Sequence, residues 1–200
     1  MRKDLMRTSL KSSFLSCEKD FQTILRRLFV ESQPYDKELK KLLVINTKDC
    51  LDAVDNEVYE NKIKEMTVAK LRKEGYIKFE PVIKIPEDEE IKTYIIISFD
   101  NFSSNRISPR YMDYTIHFDI VCYNDAWVLN NLAIRPLMIC GYIDGILNSL
   151  SDDNKKFQKD HQSKIKLSGI GEYDFIGANE VVLNEDLSMY SLTYRGVHFS

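Results

Sequence analysis

Glycine and proline are scarce in this chain, at 7 and 5 of 200 residues. That excludes a collagen repeat and argues against a low-complexity coil. The 4 cysteines form no CxxC pair and no regular spacing. Neither a disulfide scaffold nor a cysteine-built metal site is expected, and Cys17, Cys50, Cys122 and Cys140 read as free core thiols. Histidine is rarer still, at 3. His117 and Cys122 lie five residues apart in a strand-like stretch, which points them to opposite faces, so they cannot share an ion. His161 falls in a polar stretch and His198 near the end, with no second ligand at metal-binding spacing. No apolar run reaches the roughly 18–20 residues that a bilayer needs. The basic start, MRKDLMRTSLKSS, is not followed by an apolar signal-peptide core. A soluble, cytosolic product is expected.

Catalytic signatures are missing as well. No G-x-S-x-G occurs. Gly169, Gly171 and Gly177 fit neither the dinucleotide fingerprint nor the P-loop, because no helix pattern and no Lys-Ser/Thr follow them. No catalytic, cofactor-binding or metal-binding residue is assigned, no cofactor is implied, and the chain reads as a non-enzyme. Nor is there an excess of positive charge: 28 Lys+Arg face 31 Asp+Glu, for a net charge of −3. Residues 1–80 hold 17 basic and 14 acidic side chains, and residues 81–200 hold 11 and 17. The later part is thus a poor phosphate-binding surface.

What is present is enough apolar material for a core: 44% hydrophobic against 30% charged residues. Residues 1–17 read as an arm. Glu18 to about Val30 reads as a helix with Phe21, Leu25, Leu28 and Phe29 on one stripe. A second helix follows Asp36, with Leu39, Leu42, Leu43 and Asn46 on one side. A third covers part of 57–73, stopped by Gly75. The period then changes. YIKFEPVIKI (76–85) contains Pro81 and reads as an edge strand. IKTYIIISF (91–99) reads as a strand buried on both faces, followed by a loop over 100–110. From Met112 to Cys122 apolar and polar residues alternate, which marks a half-buried strand with Tyr114, Ile116, Phe118 and Ile120 inward. Pro136 opens an apolar helix running to about Leu150. Residues 151–166 are a polar linker. Three short strands then end the chain, with turns at Gly177-Ala178-Asn179 and Asn184-Glu185-Asp186. This order predicts an α+β fold: N-terminal helices (18–75), then an antiparallel sheet with one packed helix and a C-terminal hairpin (76–200).

Two features stand out as candidate sites. Gly141 and Gly145 share one face of the 136–150 helix, with Asp144 between them. Each glycine costs roughly 1 kcal/mol relative to alanine in a helix, so a close backbone is expected there, either the chain's own sheet or a neighbouring subunit. The run Glu87-Asp88-Glu89-Glu90 is a solvated, partner-facing turn and not a cation site, since it lacks alternating ligands. An enzyme built on Asp113, His117, Asp119 and Arg110 is disfavoured, because Asp113 and His117 stand roughly 13 Å apart along a strand. A nucleic-acid-binding regulator is the other alternative. Its basic pairs, Arg26-Arg27, Lys40-Lys41 and Arg72-Lys73, are scattered among acids.

The segments IKTYIIISFDNF, RYMDYTIHFDIVCY, IRPLMICGYIDGILN and LSGIGEYDFIGANEVVLNEDLSMYSLTYRGVHF, in that order, resemble the neck proteins of tailed bacteriophages. The similarity is to the tail-terminator or head-to-tail joining type, over about half the chain. The resemblance implies a short α+β domain in a homo-oligomeric, typically hexameric ring. Such a ring caps the tail tube, meets the head connector and passes DNA through its channel. It implies location in the virion, with no specific nucleic-acid recognition, no membrane and no catalysis.

Overall fold

The computed structural model describes residues 13–31, 35–51, 57–79, 92–104, 111–148 and 173–199. The acidic run 87–90, the linker 151–166 with His161, Gly169 and Gly171, and residues 1–12 of the expected arm lie outside them. Helix α1 is Ser13–Arg26, continued by a π-turn at Arg27–Glu31. It therefore starts inside the segment read as an arm. Its predicted stripe is buried at Leu25, Leu28 and Phe29, joined by Ile24. Phe21 meets Phe79 and Phe99 edge-on, at 4.8 and 5.6 Å between ring centroids. Helix α2, Tyr35–Val44, buries Leu39, Leu42 and Leu43.

The expected third helix is two: α3, Glu57–Glu65, and α4, Val68–Lys73. Thr67 breaks it by taking an extended backbone, and its hydroxyl accepts from the Lys70 N–H at 3.2 Å. A residue that satisfies an orphan donor at a helix start is worth about 1 kcal/mol there. Gly75 ends α4 as expected, at φ +75. The Tyr76 N–H reaches the Leu71 carbonyl and the Gly75 N–H that of Arg72, the paired bonds of a glycine-terminated helix.

Strands β1 (Ile77–Lys78), β2 (Tyr94–Ser104), β3 (Tyr111–Tyr123), β4 (Tyr173–Val182) and β5 (Leu187–Phe199) form one sheet in the order β1-β2-β3-β5-β4. The fold is α+β, with five helices and a C-terminal hairpin. Three expectations are corrected. The sheet is mixed, because β1 pairs parallel with β2. Strand β2 runs on through Asp100, where Asn101 at φ 53 forms a bulge, and continues to Ser104. The described end holds two strands, not three: Gly177-Ala178-Asn179 lies inside β4, where Gly177 follows a bulge at Phe175. Only Asn184-Glu185-Asp186 turns, held by the Asn184 Oδ1, which accepts from the N–H of Asp186 and of Leu187.

The alternation along β3 sets two faces. Tyr114, Ile116, Phe118, Ile120 and Cys122 are buried against α1, α2 and helix α5, Arg135–Asn148. On the opposite face His117 stands between Asp100 (3.1 Å) and Thr193 (3.2 Å), and Arg195 pairs with Asp113. His117 and Cys122 thus do face apart. That outer face carries one small apolar cluster of Tyr94, Ile96, Val121 and Leu187, which explains why 94–97 are buried on both sides. Cys50, Cys122 and Cys140 are free and buried; burial pushes the Cys122 and Cys140 thiols up to about 12.

Two buried side chains tie elements together, one between the layers and one within the sheet. Arg135, at the first position of α5, is 0% exposed. Its Nε donates to the Ala126 carbonyl at 2.9 Å and its Nη1 to those of Leu42 and Ile45 at 2.8 Å. Its Nη2 donates to the Thr47 carbonyl and to the Cys50 Sγ. Tyr114 is the second. Its ring lies against Gly196, where a Cβ would come within 2.5 Å of ring carbon, and its hydroxyl meets that of Tyr173 at 2.8 Å. This is the close backbone approach that glycine permits in a strand.

Replacing Arg135 with Met should cost more than about 3 kcal/mol in urea unfolding, since several buried carbonyls lose a charged donor at once. Gly196→Ala should cost about 1–3 kcal/mol through overpacking, read as a lower melting temperature. A neutral result at Gly196 would mean that the Tyr114 ring can move aside.

Candidate assembly surface

The core side of α5 is taken by Ile139, Ile143 and Leu147, all buried. The helical period carries Gly141 and Gly145 to the opposite side. Both are exposed, and no atom of the described residues lies within 4 Å of a Cβ built on either. Of the two expected approaches, that of the chain's own sheet is therefore not made among the described residues. The sheet meets larger side chains of α5 instead, and the glycine face is open. Asp144 is a paired position: the Tyr194 hydroxyl donates to its Oδ1 at 2.8 Å. Burial, then this bond to Asp144, raises the Tyr194 pKa. On the other flank of α5, the Tyr142 hydroxyl donates to Glu38 of α2.

The open face continues into an apolar border. Val128 and Ile134 bridge the loop before α5, with Leu132 82% exposed between them and Leu137 exposed in the first turns. Trp127 lies tilted, at 6.0 Å between ring centroids, against Tyr190, whose hydroxyl donates to Glu180 of β4. Strand β4 is the sheet's edge, and nearly every side chain on it is exposed, including Phe175 (52%), Ile176 (59%) and Val182 (71%). Ring contact with Tyr194 at 5.6 Å holds Phe175 on the inner face. Among the described residues no strand or helix covers this ten-residue edge, which proteins ordinarily blunt with lysine, proline or a covering element. Here β4 has neither lysine nor proline. Sequence pattern does not reveal this edge, because Gly177 within it reads as a turn.

Among the described residues no group of three or more His, Cys, Asp or Glu could hold a metal ion. No described helix is long and apolar enough to cross a membrane.

A family model described as YomW matches residues 36–195. The chain belongs to the YomW family. That name is phage-derived, of the SPbeta type, and points to a phage protein. No curated protein and no solved structure matches the chain. The family match spans every described element from α2 to β4 and most of β5, so the open surface lies within the part that defines the family.

The open glycine face gives a direct test. Gly141→Ala and Gly145→Ala together should raise the unfolding free energy by about 1–2 kcal/mol, from helix propensity without a clash. Thermal melting checks it, and a lowered melting temperature would show that the face is occupied.

Proposed function

We propose that this YomW-family chain is a structural ring subunit of a phage neck or tail, of the tail-terminator or head-to-tail joining type. In this reading it caps the tail tube and meets the head connector, acts without catalysis, and resides in the virion after assembly in the host cytoplasm. The observation that carries it is the set of exposed apolar side chains at Val128, Leu132, Ile134 and Leu137 around the start of α5 and at Phe175, Ile176 and Val182 on the β4 edge. Exposed apolar area of this extent is a feature of protein contact surfaces. The phage-type family name and the resemblance of 91–199 to neck proteins supply the setting. The acidic later part suits a channel that passes DNA, because like charge keeps the genome from adhering.

Mass spectrometry of purified particles should find the chain at a few to a dozen copies' worth of signal relative to the major tail protein, and a knockout should yield separate heads and tails. Particles that lack the chain, or that assemble normally without it, would rule this function out.

A further inference from the structure

We propose that residues 1–12 of one copy dock on the β4 side chains and the acidic 183–186 turn of a second copy. The receiving surface is apolar with an acidic rim. In a single copy Ile176 is 59% and Val182 71% exposed, and Phe175 and Val181 are exposed with them. Glu180 stands in the same strand, and Glu185 and Asp186 follow in the turn, all three exposed. Asp125 joins this rim. The Asn124 N–H donates to the Asp186 carbonyl at 2.7 Å and the Asn124 Nδ2 to that of Glu185 at 2.8 Å, which ties the acidic turn to the one that holds Asp125. The Tyr123 hydroxyl is held above its usual pKa by its bond to Asp125 and by the charges of Asp125 and Asp186. No exposed Lys or Arg offsets the rim from its own elements. The described residues from 111 to 194 contain eight Asp and Glu, and their one Lys or Arg is the buried Arg135.

Such a surface calls for an occupant that is both basic and apolar, since complementary charge fixes the partner and apolar burial holds it. The segment MRKDLMRTSLKS fits. Arg2, Lys3, Arg7 and Lys11 face a single acid, Asp4, and Met1, Leu5, Met6 and Leu10 lie among them. The other basic parts of the chain fit less well. Residues 149–172 hold five Lys against four Asp and Glu, so their excess is small. Lys62, Lys64 and Lys73 stand on α3 and α4, where no large apolar side chain is exposed among the described residues. Reach favours the same choice. The segment joins α1 at Ser13, and twelve residues extend to at most roughly 40 Å, the order of a domain's own width. It can therefore cross to a touching neighbour. Ile176 and Val182 are exposed in a single copy, which leaves their burial to another copy's segment. The contact needs only these side chains. It joins two different patches, so it closes into a ring or continues as a filament; closure as a ring rests on the function proposed above.

Charge reversal in the full chain decides the matter, read by sedimentation velocity at low salt. The wild-type chain should associate, and should loosen as salt rises. Arg2→Glu with Lys3→Glu and Arg7→Glu reverses the arm. Glu185→Lys with Asp186→Lys reverses the receiving turn. Each set alone should weaken association by roughly tenfold or more, and a chain carrying both sets should regain it. A monomeric wild type points to a foreign occupant and overturns the proposal. So does an arm-reversed chain that associates like wild type, or a chain with both reversals that stays monomeric. A second measurement needs no reversal. A synthetic peptide of residues 1–12, added to the chain lacking residues 2–12, should shift the methyl NMR signals of Ile176, Val181 and Val182, and unmoved signals also overturn the proposal. In the wild-type chain the same signals should move with concentration. If they hold the peptide-bound position at every dilution, the arm lies on its own copy and exchange between copies is refuted. Particles that contain a chain failing these tests would leave the neck reading standing, and a chain that passes them but is missing from particles would remove that reading alone.

Discussion

The Arg135 guanidinium is sealed from water, so each of its five N–H donors must find an acceptor within the protein. It finds five: the carbonyls of Ala126, Leu42, Ile45 and Thr47, and the Cys50 sulfur. Two of those carbonyls belong to the end of α2 and the residue just past it, where helix carbonyls lack intrahelical partners and favour a cation. One belongs to the short 3-10 turn that follows β3. Arg135 itself opens α5. The end of the helical layer, the exit from the central strand and the start of the packed helix therefore meet at one side chain. Neither lysine nor an apolar residue could serve all of these acceptors, because only the planar fork presents five fixed donors.

With that junction fixed, the rest follows from which face each element has left over. Helices α1, α2 and α5 occupy the inner face of the sheet, where the β3 residues Tyr114, Ile116, Phe118 and Ile120 supply the apolar floor. The outer face has no covering layer among the described elements. Its polar groups are tied to each other, with Asp100, His117 and Thr193 in a row and Ser191 donating to Asp119. Among the described elements, strand β4 has neither kind of cover. Its side chains stay exposed because α5 lies over β3 and β5, one strand short of the edge. The surface best suited to a partner is thus the product of a helix too narrow for its sheet.

Glycine shows how one principle plays out differently from one position to the next. Glycine within a regular element does indicate close approach of another group, and the chain does contain such a place. Within the described chain it is Gly196 against Tyr114 in the sheet, while no described atom of the chain itself approaches Gly141 or Gly145. Sequence shows that a glycine lacks a Cβ. It does not show which aromatic ring, eighty-two residues away, will need the room.

Local pattern alone determined much of this protein. The stripe in α1, the Gly75 stop, the two faces of β3, the Asn184 turn, the separation of His117 from Cys122 and the α+β class all depend on neighbours within a few residues, and each is legible in the order of residues along the chain. Long-range pairing decided the remainder. The parallel partner of β1, the continuation of β2 through a positive-φ Asn101, and the merging of two expected strands into β4 each depend on what lies across the ladder, because a bulge or a short edge strand gains its stability from its partner and not from its own sequence. The same holds for Arg135. In sequence it is one basic residue before a proline at a helix start. Only the tertiary fold brings carbonyls from ninety residues away around it, and only there does its burial become both possible and required.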